Sequence, residues 1–141
     1  MVRIVLSTVC LLLLMTGSVF AAEELAVIVN KENSNAVDRA MITKIYLGNI
    51  SRWPAGGAVI ALDQPEESPT TVAFAARVIG KPIRSIKDLW AQNVFTGKAI
   101  PPKVLVNDEE VKKMVARSKN SIGYIKSSSA DSSVKVVFTV R

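Results

Sequence analysis

Ile45-Tyr46-Leu47-Gly48-Asn49-Ile50-Ser51-Arg52-Trp53, followed by Pro54-Ala55-Gly56-Gly57, is the stretch on which the reading of this fold turns. Two periodicities meet there. Upstream, Val37, Ala40, Met41, Ile45 and Tyr46 recur at close to helical spacing, which predicts a helix over Val37 to Leu47 with one apolar face. Gly48 suits the position just past that helix, where the backbone turns left-handed. Downstream, Trp53 to Gly57 reads as a turn, and Val59 to Leu62 as a short apolar strand. Leu25 to Val29, before the helix, is a compact run rich in β-branched residues and reads as a buried strand. Strand, helix and strand around one corner predict a layered α/β domain.

The remaining sequence continues the alternation. Ser68 with Pro69 behind it is a helix start: serine accepts bonds from free amides, and proline at the first helical position has no amide to lose. That helix is expected to run through Phe74 to Ile79 and stop at Gly80. Another is expected from near Ser85, with Ile86, Leu89, Trp90 and Val94 on one face, ending by Gly97. Asn107-Asp108-Glu109-Glu110 has the form of a capping box before Val111, Met114 and Val115. Ile122 to Ile125 and Val134 to Val140 are the closing strands. The expectation is one domain over residues 23–141, a mixed sheet flanked by helices.

Residues 1–22 read differently. Arg3 is a basic lead, Ile4 to Met15 is an apolar run too short to span a bilayer, and Val19-Phe20-Ala21 offers a cleavage site near Ala21 or Ala22. This is the pattern of a secretory signal peptide. It predicts export to the periplasm and no transmembrane segment after cleavage. Cys10, the sole cysteine, lies inside that leader behind Val9, where a lipoprotein signal would have a small residue. The mature chain then has no thiol for a disulfide, a nucleophile or a metal site. The sequence also has no histidine, which removes histidine-based triads and the usual zinc sites.

The net charge of +6 leaves the domain basic after removal of the leader. Such a surface attracts anions, acidic polymers or an acidic protein face. The basic residues are scattered and no aromatic-basic alternation marks a stacking platform, so no nucleic acid is expected as a partner. An enzyme is not expected either. The acidic pairs Glu23-Glu24, Glu66-Glu67 and Glu109-Glu110 are sequence neighbours, which do not face each other. Asp63, Glu66 and Glu67 match no calcium-loop spacing, and no cofactor is implied. Trp90, on an apolar helix face, and Tyr124, on a strand, read as core. Trp53 reads as packing at the helix–strand corner.

Three segments in order, Ile45 to Trp53, Ser68 to Thr71 and Ser121 to Tyr124, carry a family resemblance, with Phe95 to Lys98 as a further feature. Ile45-Tyr46-Leu47-Gly48 with Trp53 five residues on is similar to the I-[FY]-x-G-x-[IV]-x-x-W segment of periplasmic phosphate-binding proteins. Ser121-Ile122-Gly123-Tyr124 resembles their G-S-I-G-Y strand, with Asn120 in place of the first glycine. Phe95-Thr96-Gly97-Lys98 resembles a feature of short, single-lobe members. The resemblance implies a periplasmic binding-protein fold, two α/β lobes closing on ligand, of which this chain has room for about one.

The resemblance also implies an anion site. The family pattern R-x-D-G-S-G-T places serine, glycine and threonine at a helix start, where free amides and hydroxyls face phosphate and an arginine grips two oxygens. Ser68 and Thr70 fall at the serine and threonine positions, and Thr71 where short members often carry another arginine. Pro69 replaces the glycine, Gln64 the arginine, and Glu66 and Glu67 the aspartate and following glycine. The implied ligand is phosphate or another oxyanion, held through Ser68, Thr70 and Thr71. Two functions stay open: weak oxyanion recognition linked to phosphate uptake or sensing, and an interaction module for a sensor or envelope complex without a ligand of its own. In either, a periplasmic protein or a second copy would complete the cleft.

Overall fold

A computed structural model describes residues 23–141; the expected leader and Cys10 lie outside the described residues. The order is β1 (Leu25–Val29), α1 (Arg39–Tyr46), β2 (Ile60–Asp63), α2 (Pro69–Phe74) running on as a π-helical turn (Ala75–Ile79), α3 (Ile83–Phe95), β3 (Lys103–Val104), α4 (Asp108–Arg117), β4 (Ser121–Lys126) and β5 (Lys135–Val140). The five strands lie in the order β3-β2-β4-β1-β5. β1 is antiparallel to β4 and β5, while β2 is parallel to β3 and β4, so the sheet is mixed, as the alternation of elements predicts.

β1 shows why its sequence needs no polar residue. It is buried along its whole length, and its side chains alternate between two cores. Leu25, Val27 and Val29 join Ile42, Ile45, Tyr46, Phe74, Val78 and Tyr124 on the face covered by α1 and α2. Ala26 and Ile28 join Leu62, Val111, Val115 and Ile125 on the face covered by α4. A central strand with helices on both faces reads as an unbroken apolar run.

The opening stretch behaves as its sequence predicts. Asp38 caps α1 by accepting from the Met41 amide at 2.8 Å, and Gly48 (φ 81°) closes it. A side chain at Gly48 would meet Asn93 Nδ2 at 2.8 Å, so both conformation and space select glycine. Trp53 is buried at the corner and its indole donates to the Asn120 carbonyl at 2.9 Å.

Three expectations need correction. α3 starts at Ile83, after Pro82 with extended backbone, and not near Ser85. Its apolar face is also misread at one position: Val94 is exposed, and Asn93 is buried in its stead, donating to the Leu47 carbonyl at 3.2 Å. Trp90 is half-buried and sits at an edge of the core, its indole donating to the Tyr46 carbonyl at 2.8 Å. The two-residue strand β3 has no counterpart in the sequence reading; it is exposed and carries no alternation.

Candidate functional site

Ser68 does start a helix. Its Oγ accepts from the Thr70 amide at 3.3 Å, and its carbonyl from the Val72 amide at 3.1 Å. Pro69 fills the first helical position. The three residues expected to hold an anion are then separated by their contacts. Ser68 is half-buried, with Thr70 at 5% and Thr71 at 7% exposure. Thr71 is turned inward: its hydroxyl lies 3.2 Å from the Tyr124 hydroxyl. That phenol gives its single proton to Asp63 Oδ1, so the Thr71 hydroxyl is the donor in their bond. Ser68 and Thr70 remain joined through the cap.

Gln64 answers what replaced the expected arginine. β2 and β4 pair only through Ile60 with Ser121 and Ala61 with Ile122. Beyond that the strands part, and side chains take over the ladder. Gln64 Nε2 donates to the Tyr124 carbonyl at 2.9 Å and to Asp108 Oδ1 at 2.9 Å. The Tyr46 hydroxyl donates to the Leu62 carbonyl at 2.7 Å. Gln64 is only 4% exposed, so its amide is committed to holding the sheet and not presented to a ligand.

The surroundings are acidic. Glu66 and Glu67 are exposed beside Ser68, and Glu66 pairs with Lys87 at 2.9 Å. Asp63, at the end of β2, accepts from the Tyr124 hydroxyl and from the Gln64 amide at 2.8 Å. Burial raises its carboxyl above the usual carboxylate range; the two hydrogen bonds pull the other way without cancelling it. The Tyr124 hydroxyl is pushed up by burial and then by the neighbouring Asp63 charge, and burial drives Tyr46 up as well. Phe74 stacks on Tyr124 with ring centres 3.9 Å apart. Asp63 and Tyr124 form a polar centre that sequence reading missed. The signal was an aspartate closing a buried apolar strand, but its partner lies on a strand distant in sequence.

A pH dependence follows. The folded Asp63 holds its proton to higher pH than the unfolded chain does. Stability from this group is therefore present below the unfolded value and is lost as pH rises through the raised folded value. Asp63→Asn does not titrate there. The melting temperature of the variant minus that of the native protein should increase between about pH 4 and pH 7. A constant or decreasing difference in thermal melts would refute the assignment.

A cavity of about 400 Å³ opens against this centre, lined by Asp63, Gln64, Thr71, Phe74 and Tyr124 within, and by α3 and the segment before β3. Ser68 and Thr70 do not line it. No helix among the described residues is long and apolar enough to cross a membrane.

No protein-family model matches the chain, and no curated protein does. Solved structures do. An ABC-type phosphate transport receptor from Vibrio cholerae superposes with a TM-score of 0.64 at 20% identity, over 82% of this chain and 45% of that one. A structure described as a phosphate ABC transporter substrate-binding protein with bound phosphate, from Clostridium perfringens, gives 0.64 at 23%, over 82% and 44%. PstS from Borrelia burgdorferi gives 0.63 at 17%, over 82% and 46%. The first is described as a receptor and the second as a substrate-binding protein; none of the three is described as an enzyme. This chain spans under half the length of each. The chain therefore shares its fold with the substrate-binding proteins of phosphate ABC transporters and carries it as a single α/β lobe.

Proposed function

We propose that this chain is an exported, periplasmic lobe of the phosphate-receptor type, serving phosphate uptake or sensing, with weak oxyanion recognition of its own. The observation that carries the reading is the superposition of 82% of the chain on phosphate receptors, one of them holding phosphate. Ser68, Thr70 and Thr71 are the proposed anion contacts. They supply hydroxyls at a helix's first turn, where the Thr70 amide is shared with Ser68 Oγ and the Ser68 amide is held by the Pro65 carbonyl.

Three features weaken that contact. Pro69 has no amide to offer, Gln64 stands in the arginine position with its own amide committed, and the Thr71 hydroxyl already donates to Tyr124. A charge-assisted bond contributes about 1.5–3 kcal/mol, and about 1.4 kcal/mol is tenfold in affinity. Losing an arginine therefore weakens binding by about one to two orders of magnitude. An open face without an opposing wall loses more, because enclosure and preorganisation supply much of a receptor's affinity. A periplasmic protein or a second copy of the chain would supply that wall.

The expected dissociation constant for phosphate is on the order of millimolar. Titration calorimetry of the purified protein with phosphate, and with sulfate at matched ionic strength, tests this. Absence of heat with both anions would sink the oxyanion reading.

The Gln64 amide committed to the sheet in the arginine position, together with the net charge of +6, favours a second reading, an interaction lobe without its own ligand, acting as an adaptor for a sensor or envelope complex. Under that reading the protein is recovered from periplasm with a reproducible partner; a strictly monomeric, partnerless protein argues against it.

A further inference from the structure

The cavity beside Asp63 is unlike the oxyanion contact in both shape and charge. Its walls are apolar, formed by Phe74, Ile79, Ile86, Trp90 and Pro101. Its polar end is Asp63 with Tyr124 and Thr71. The two oxygens of Asp63 are not equivalent. Oδ1 accepts from the Tyr124 hydroxyl and the Gln64 amide, whereas Oδ2 has no hydrogen-bond partner among the described residues. Asp63 also forms no ion pair among them. The cavity's one lining cation, Lys87, is engaged with Glu66 at 2.9 Å. Tyr124 and the Gln64 backbone thus hold a carboxylate fixed, with one oxygen open, at the end of an apolar space.

We propose that this cavity binds a small organic cation, a primary amine whose aryl or alkyl body packs against Phe74, Ile86 and Trp90 while its ammonium donates to Asp63 Oδ2. A volume of about 400 Å³ is that of an ordinary small-molecule site, and the pattern of apolar walls with a few fixed polar groups is how such sites orient ligands. Asp63 Oδ2 is not sealed from solvent, so an incoming ammonium can reach it and add a charge-assisted bond while the ligand body buries its own apolar surface. Organic anions are repelled by Asp63 and Glu66, and a neutral ligand leaves the Asp63 charge uncompensated.

Calorimetry on the full protein with phenethylamine, 3-phenylpropionate, 2-phenylethanol and methylamine, at constant ionic strength, tests the assignment. Phenethylamine should bind saturably and at least about tenfold tighter than each of the others. Asp63→Asn, which keeps an acceptor for Tyr124, should weaken phenethylamine at least about tenfold and change 2-phenylethanol less than about threefold. Ile86→Trp fills the space from the α3 wall and should weaken both, which keeps the test decisive should the Asp63 variant not fold. Phosphate at millimolar concentration should leave phenethylamine affinity within about twofold, so a failure of phosphate to bind does not touch this result. Equal binding of 3-phenylpropionate, an unchanged affinity in Asp63→Asn, or no saturable binding of phenethylamine would each overturn the proposal.

Discussion

Gly123→Val should destabilise the protein by about 3 kcal/mol, read as a lower urea midpoint. Gly123 lies in β4 where α4 crosses the sheet. A Cβ built there falls 2.5 Å from Val111 Cγ1, with Val115 Cγ2 and Leu62 Cβ at 3.6 Å. Val111, Val115 and Leu62 are fully buried, so none can swing into solvent. Relief requires α4 to move outward. That movement is opposed by Asn30, whose Nδ2 donates to the carbonyls of Val115 at 2.8 Å and Ala116 at 3.0 Å, and by Asp108 in the first turn of α4, whose carboxylate accepts from Gln64 Nε2 at 2.9 Å and from the Ser129 hydroxyl at 2.9 Å. Gly123→Ala should lose less, about 1–2 kcal/mol, because one methyl clashes where valine places three carbons. An unchanged midpoint in the valine variant would mean that α4 does not pack this closely. The glycine of the Ser121-Ile122-Gly123-Tyr124 segment is thus explained by helix–strand approach and needs no ligand.

Gln64→Ala should lose about 2–3 kcal/mol, with no gain in anion binding. Two hydrogen bonds vanish together, and the Tyr124 carbonyl is left without its donor where β2 and β4 have already parted. Asp108 is affected less, since it also accepts from the Lys126 amide at 3.1 Å and the Ser129 hydroxyl at 2.9 Å. The buried carbonyl sets the size of the effect, because an unpaired buried polar group costs more than the average bond contributes. Chemical denaturation gives the loss; a change below about 0.5 kcal/mol would show that the side chain is not a strut of the sheet. Position 64 is thus set apart from the arginine of the resembling pattern: here the residue closes a gap between strands.

The local chemistry of the chain was readable wherever one residue type has one main use. Ser68 before Pro69 and Asn107 before three acids mark helix starts, and both caps are present. Gly48 and Trp53 mark a corner that forms as expected. β1 was legible because a strand covered on both faces has no polar position to blur it. What failed depended on tertiary context. Val94 fits an apolar helical stripe by spacing, yet Asn93 is the buried residue because the Leu47 carbonyl, just past the end of α1, awaits a donor there. β3 is two exposed residues recruited by Asp63, whose carbonyl accepts the Leu105 amide at 2.9 Å. The site was half legible. The helix start at Ser68 could be placed, but the pairing of Asp63 with Tyr124, and through it the diversion of Thr71, joins residues on different strands and leaves no trace in spacing.

That diversion makes the anion account testable residue by residue. Amide-resolved NMR of the isotope-labelled protein, titrated with phosphate to about 50 mM against chloride at equal ionic strength, observes the first turn of α2 directly. Saturable shifts are expected at the Thr70 and Thr71 amides with a dissociation constant on the order of millimolar, hence a stabilisation of only about 1–2.5 kcal/mol at the end of the titration. Micromolar saturation would contradict this expectation by showing a complete site without an arginine. No saturable movement of those two amides would contradict it from the other side.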